Sequence, residues 1–152
     1  MNEITINNVF GAFDGMSNGQ IALNRIGIKY NKYYASEVDK HAIKVAMKHF
    51  PDTIQLGDIT NINGCDLPKI DLFLAGSPCQ GFSFSGKQLN FSDPRSKLFF
   101  DFVRLKDELQ PKYFMLENVV MKKEYEDIIS KHLGVEPIMI DSSLVSADWS
   151  PY

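Results

Sequence analysis

Cys79 ends the apolar run Asp71-Leu-Phe-Leu-Ala-Gly-Ser-Pro-Cys79 and opens a small polar stretch, Gln80-Gly-Phe-Ser-Phe-Ser-Gly-Lys-Gln88. In an open parallel sheet, ligands collect outside the carboxyl ends of the strands, so a thiol placed just past such a strand faces a reaction crevice. There it can act as a nucleophile. The other reading of a lone cysteine is a small core hydrophobe. A second apolar run, Lys112-Tyr-Phe-Met-Leu-Glu-Asn-Val119, ends in a carboxylate and an amide. Neighbouring strands lie about 5 Å apart, which would let Cys79 and Glu117 act on opposite sides of one small ring. Alternatively, Glu117 caps the helix that follows.

A third constellation lies near the start. Phe13-Asp14-Gly15-Met-Ser-Asn-Gly19 follows an apolar strand and precedes a helix, which permits a tight turn with backbone close to a ligand. It lacks the G-x-G-x-x-G fingerprint and so suits a cofactor without a pyrophosphate. Glu37 ends the next strand, about 20 residues past the glycine turn, where an acidic residue accepts ribose hydroxyls; its other reading is a cap for the helix beginning near Asp39.

These residues need alternating strands and helices to position them. The pattern predicts strands over Asn8–Phe13, Lys32–Ser36, Thr53–Leu56, Ile70–Ala75, Tyr113–Leu116 and Val135–Ile140, the last with Pro137 marking an edge or irregular position. Helices are predicted over Gln20–Ile26, stopped by Gly27, over Asp39–His49, over Arg95–Leu109 and over Tyr125–Leu133. With no repeats or linkers, residues 1–152 are expected to form a single α/β domain with a mainly parallel sheet.

Composition agrees with this class. Hydrophobic residues make up 44% and charged residues 23% of the 152, ordinary values for a globular domain. No stretch approaches a membrane span and Met1-Asn-Glu-Ile-Thr-Ile6 does not resemble a signal peptide, so a reducing, cytoplasmic setting with free Cys65 and Cys79 is expected. No metal ligand set is expected. The net charge of −3, from 16 basic and 19 acidic residues, offers no global attraction to nucleic acid. Lys87, Arg95 and Lys97 flank the stretch after Cys79 as a local basic group, whereas Lys122-Lys123 is interrupted by Glu124 and Glu126 and reads as a solvated mixture.

Taken in order, these segments resemble the cytosine-C5 DNA methyltransferases: Phe13-Asp-Gly15 with Gly19, then Glu37, Asp58-Ile59, Gly76-Ser-Pro-Cys-Gln-Gly-Phe-Ser83, Arg95 to Phe100, and Glu117-Asn-Val119. The resemblance covers about Val9 to Val145. It implies a Rossmann-like S-adenosylmethionine-dependent methyltransferase fold, incomplete at its C-terminal edge, and S-adenosylmethionine as cofactor. Phe13, Asp14, Gly15 and Gly19 would surround that cofactor, with Glu37 on the ribose, Asp58 and Ile59 on the adenine, and Leu98 closing the site. Asp58 could instead be only a helix N-cap after Gly57. The resemblance further implies Cys79 as nucleophile toward C6 of a cytosine flipped from DNA, with Glu117 at ring N3. Pro78 would rigidify the thiol turn, Asn118 would hold the glutamate strand end, and Ser83 and Arg95 would contact phosphates. The stretch Gly81 to Pro94, with Phe82, Phe84 and Phe91, is expected to close over DNA and fence the base from water; the aromatic residues could equally be ordinary anchors of a long loop.

The chain departs from the family pattern after Ser142-Ser-Leu-Val-Ser-Ala147. Where the family continues with a Gln-x-Arg-x-Arg segment, this sequence reads Asp148-Trp-Ser-Pro-Tyr152. The expectation is a catalytic region truncated before the target-recognition domain, its last strand frayed or paired with a second polypeptide or another copy. Three functions follow from that: half of a two-polypeptide methyltransferase, a non-catalytic S-adenosylmethionine-binding or regulatory module, or an inactive remnant.

Overall fold

A computed structural model describes residues 6–76 and 94–141, with only the backbone placed at 94–96. They fall in two compact units, Met1–Met121 and Lys122–Tyr152. The first contains strands β1 (Asn8–Ala12), β2 (Lys32–Ser36), β3 (Ile54–Gln55), β4 (Leu72–Gly76) and β5 (Tyr113–Glu117), and helices α1 (Asn18–Arg25), α2 (Lys40–His49) and α3 (Pro94–Leu109). The strands form one sheet in the order β3-β2-β1-β4-β5, and every pairing is parallel. The chain therefore winds outward from β1 through β2 to β3, crosses back to β4, and ends at β5. The reversal lies between β1 and β4, which puts a ligand crevice at their carboxyl ends.

The apolar alternation of the strands sets what each face buries. On one face Val9, Tyr33 and Ala35 pack with Leu23 of α1, joined by Ile6 and flanked by Ile28, Tyr30, Leu72 and Leu74. Phe10 and Phe73 point the other way, stacked with ring centroids 4.8 Å apart, and Phe73 stacks at 4.8 Å on Phe102 of α3. Phe99 and Leu105 complete that buried α3 face, which is why the α3 sequence forms a long helix lying on the sheet. Burial fades toward β5, where Tyr113, Met115 and Glu117 are exposed while Phe114 and Leu116 are half-buried.

The expected strands and helices appear with small shifts, except in two places. The third strand shrinks to Ile54–Gln55: Leu56 still gives its N–H to the Ala35 carbonyl (2.7 Å), but Gly57 then turns the chain away with φ +77°. The expected sixth strand, Val135–Ile140, is not a strand. Pro137 cannot donate to a ladder, and the second unit offers it no strand among its described residues; Ile138 is 87% exposed. Among its described residues that unit has one helix, α4 (Lys123–Leu133), closed by Gly134 at φ +71°, whose N–H donates to the Ser130 carbonyl at 2.8 Å. Glu124 and Glu126 in its first turn and Lys131 and His132 in its last suit the helix dipole. Among the described residues no helix is long and apolar enough to cross a membrane, and no cluster of three His, Cys, Asp or Glu could hold a metal ion.

Candidate active site

The β1–α1 turn is built from alternating left-handed residues, Phe13 at φ 54°, Gly15 at 56° and Ser17 at 64°. Gly15 takes this conformation without strain, and a Cβ there would meet nothing within 4 Å, so its outer side faces open space. Phe13 and Ser17 are strained, at roughly 1–2 kcal/mol each, and need an opposing framework. Two bonds from the end of β2 supply part of it: Asp14 N–H donates to the Ser36 carbonyl at 3.1 Å, and Gly15 N–H donates to Glu37 Oε2 at 2.8 Å.

The rest of the framework is a buried polar chain. Tyr33 donates its phenol proton to Asp14 Oδ1 at 2.6 Å, and the Ser17 hydroxyl donates to Asp14 Oδ2. Gln20 then donates to Ser17 Oγ at 3.2 Å and to Thr53 Oγ1 at 2.8 Å, while Tyr30 donates to Gln20 Oε1 at 2.8 Å. Burial, with a smaller contribution from the nearby Glu37 charge, raises the Asp14 carboxyl above the ordinary aspartate value despite these two donors. The Tyr33 phenol is pushed far up by burial and by the Asp14 charge. Gly11 and Gly19 make room for this chain. A Cβ on Gly11 would fall on Asp14 Oδ1 and the Tyr33 hydroxyl, and one on Gly19 would lie 2.8 Å from that hydroxyl and 3.0 Å from Leu74 Cδ1. Gly19 thus serves helix-to-sheet contact.

Glu37 stands at the carboxyl end of β2, half-buried. Its Oε1 accepts the N–H groups of Val38 (2.8 Å) and Asp39 (2.9 Å). Asp39, not Glu37, caps α2, accepting the His41 N–H at 2.8 Å. Past β3, Asp58 does act as a cap: its Oδ1 accepts both the N–H and the hydroxyl of Thr60 at 2.9 Å, ahead of a 3₁₀ turn at Ile59–Asn61 in which the Ile59 side chain is buried. Arg104 of α3 donates to the carbonyls of Ile59 and Ile62 in this same loop.

At the far side of the crevice, β4 and β5 pair so that Gly76 is opposite Glu117. The Glu117 carboxylate is exposed, its Oε2 3.4 Å from where a Gly76 Cβ would be. Glu117 does not cap α4, whose N-cap is Lys122. Asn118 turns its Oδ1 back to the Val119 N–H at 2.9 Å. Leu98 is half-buried near the start of α3. Pro78, Cys79, Ser83 and the phenylalanines of the following stretch lie outside the described residues, and Arg95 is placed only as part of the first turn of α3.

The carboxyl ends of β2, β3 and β5 therefore present Glu37, Asp58 and Glu117, with Asp14 turned inward behind the β1–α1 turn, and the turns 13–19, 37–39, 57–61 and 117–120 contain no lysine or arginine. Such a crevice accommodates hydroxyls and positive charge and disfavours polyphosphate. Tyr33, Ser17, Gln20 and Arg104 carry no signal of these roles in the sequence. A tyrosine pair in β2 reads as core from its pattern, and only the three-dimensional register puts one phenol on Asp14.

The sheet order and the all-parallel pairing define a Rossmann-like fold. The crystal structure of a Spodoptera frugiperda DNMT2 mutant shares it, with TM-score 0.65 and 24% identity over 84% of this chain and 40% of that one. Residues 8–129 match the C-5 cytosine-specific DNA methylase family, and the chain belongs to that family. Among curated relatives, it is 39% identical over 120 residues to the type II methyltransferase M.NlaIV of Neisseria lactamica, covering 78% of this chain and 28% of that protein. It is 40% identical over 113 residues to the orphan methyltransferase M.SPRI of Bacillus phage SPR, covering 73% and 26%. The chain thus spans little more than a quarter of these relatives' length.

Proposed function

We propose that this chain is the cofactor-binding and catalytic region of a DNA (cytosine-5-)-methyltransferase, moving a methyl group from S-adenosylmethionine to C5 of cytosine. The observation that carries the reading is the placement of two carboxylates across one crevice. Glu37 faces the Gly15 backbone at the ends of β1 and β2, and Glu117 faces Gly76 at the ends of β4 and β5, from which the chain runs through Ser77-Pro78 to Cys79.

The described residues fit the cofactor. The described turns 13–19, 37–39, 57–61 and 117–120, acidic and without lysine or arginine, suit a sulfonium cation and a ribose, and the open side of Gly15 leaves room for close backbone approach. Once bound, S-adenosylmethionine supplies an electrophilic methyl group. Glu37 accepts the ribose hydroxyls, exchanging its internal N–H partners in part for them. Asp14, held inward by Tyr33 and Ser17, keeps the Phe13–Gly19 turn in shape, Asp58 and Ile59 border the adenine, and Leu98 lies along the closing side.

On the base, the Cys79 thiolate adds to C6, forming an S–C bond and shifting electron density toward C5. Glu117, as the acid, holds a proton at N3 and stabilises that density. C5 takes the methyl group as its bond to the sulfonium sulfur breaks and that electron pair stays on sulfur, leaving a neutral thioether. C5 then loses its proton to a base, the C5–H pair restores the ring double bond, the C6–S pair leaves with Cys79 as thiolate, and the N3 proton returns to Glu117. Pro78 stiffens the thiol turn and offers its carbonyl to the base amino group. Asn118 fixes the end of β5, while Ser83 and Arg95 hold DNA phosphates. Residues 1–152 act in the cytoplasm as one cofactor-binding and catalytic domain, and target reading is assigned to polypeptide outside them, whether further along one chain, on a second polypeptide, or on another copy.

Incubation with methyl-labelled S-adenosylmethionine and DNA, followed by hydrolysis to nucleosides, tests this. The expected product is 5-methylcytosine, lost in Cys79→Ala. Label at an exocyclic nitrogen, or 5-methylcytosine formation that survives Cys79→Ala, would overturn the mechanism. Cofactor binding without any transfer would favour a regulatory module.

A further inference from the structure

We propose that Arg104 is a positioning residue for the adenine of the cofactor, an inference that rests on the cofactor reading above. From α3 its guanidinium fixes the loop that carries Asp58 and Ile59. That loop, residues 57–66, belongs to no strand and holds itself only by two short 3₁₀ turns, capped by Asp58 and by Asn63, whose Oδ1 accepts the Cys65 N–H at 3.1 Å. One end is tied to β2, where the Ser36 hydroxyl donates to the Gly57 carbonyl at 2.7 Å, and the rest is held from α3. Arg104 Nη2 donates to the Ile59 carbonyl at 3.2 Å and Nη1 donates to the Ile62 carbonyl at 2.9 Å. The Gly64 N–H donates to Glu108 Oε2 at 2.7 Å.

The guanidinium is itself held along its helix. Asp101, three residues before, lies 3.3 Å from Nη2, and Glu108, four residues after, lies 3.1 Å from Nη1. Asp101 Oδ2 is buried with no hydrogen-bond partner, so its charge leans on Arg104. A planar fork can serve two carbonyls and two carboxylates at once, which a lysine ammonium cannot do with fixed direction. Gly64 completes the fit, since a Cβ there would come within 2.7 Å of Glu108 Cβ. The helix that clamps the adenine loop is also the helix bearing Leu98.

The test compares wild type, Arg104→Ala and Arg104→Lys, the last preserving the charge over Asp101. Calorimetry gives the affinities for S-adenosylhomocysteine and for its inosine analogue, which differs only in the base edge, and hydrogen exchange is followed in the free proteins. Both variants should lose about tenfold in affinity for the adenine ligand, the scale of one or two charge-assisted bonds. They should bind the inosine analogue as wild type does, and exchange the Thr60 and Cys65 amides faster while β1 and β2 amides keep their protection. An unchanged affinity ratio with unchanged loop exchange overturns the proposal, as does an equal loss for both ligands, which would mark a purely structural role. If wild type binds neither ligand, the cofactor reading fails and this inference with it; if wild type binds and the variants keep its selectivity, only the role of Arg104 fails.

Discussion

Gly76 and Glu117 stand opposite each other at the ends of β4 and β5, with the Glu117 carboxylate 3.4 Å from the point a Gly76 Cβ would occupy. The acid of the proposed reaction is therefore carried by a strand end adjacent to the one that leads into Cys79. Being exposed, its side chain contributes little to the core. Glu117→Gln should leave the urea midpoint near that of wild type and lower labelled methyl transfer by roughly 10²–10⁴, the usual range for a lost general acid. Methyl transfer at the wild-type rate in the variant would remove Glu117 from the chemistry.

Tyr33→Phe deletes the donor to Asp14 Oδ1 without changing the packed ring. A buried carboxylate oxygen is left unpaired, at a cost of about 1–3 kcal/mol. Urea denaturation should show that loss. A change below about 0.5 kcal/mol, the scale of an ordinary surface substitution, would mean that the buried chain does not brace the turn.

Gly19→Ala sets two effects against each other. In an exposed helix interior the change would stabilise by about 1 kcal/mol, whereas a Cβ here meets the Tyr33 hydroxyl at 2.8 Å and Leu74 at 3.0 Å. Overpacking costs about 1–3 kcal/mol and should win, giving a net loss of thermal stability. A higher melting temperature than wild type would show that α1 can lift from the sheet at little cost.

The pH dependence of stability carries the sign of the Asp14 shift. Burial raises its folded-state value above 3.8, so the folded protein binds this proton more tightly than the unfolded chain does. The resulting penalty is fully present above the folded value and is relieved as pH falls from there toward 3.8. Wild type should accordingly gain stability relative to Asp14→Asn on acidification through that window, read as the difference between urea midpoints at each pH. A wild type that loses ground to the variant would contradict the inward, desolvated placement.

Much of this arrangement is legible in the sequence, because strand alternation and helix stops fix which residues end each strand. Glu37, Asp58 and Glu117 fall at carboxyl ends as their flanking apolar runs require. Directions are less legible. Asp14 sits beside Gly15 in the chain, but its turn inward depends on Tyr33 from the neighbouring strand and on the space left by Gly11. Arg104 leaves no sequence signal either, since its partners in the loop are backbone carbonyls, which every residue has. Val135–Ile140 has the composition of a strand, but a strand exists only with a neighbour to bond, and composition does not supply one.

Calorimetric titration with S-adenosylmethionine, wild type beside Glu37→Ala, tests the cofactor site most directly. Saturable one-to-one binding by wild type, abolished or weakened by at least about tenfold in the variant, is the predicted result. Absence of binding by the wild-type chain, or binding indifferent to Glu37, would contradict a cofactor site at the ends of β1 and β2.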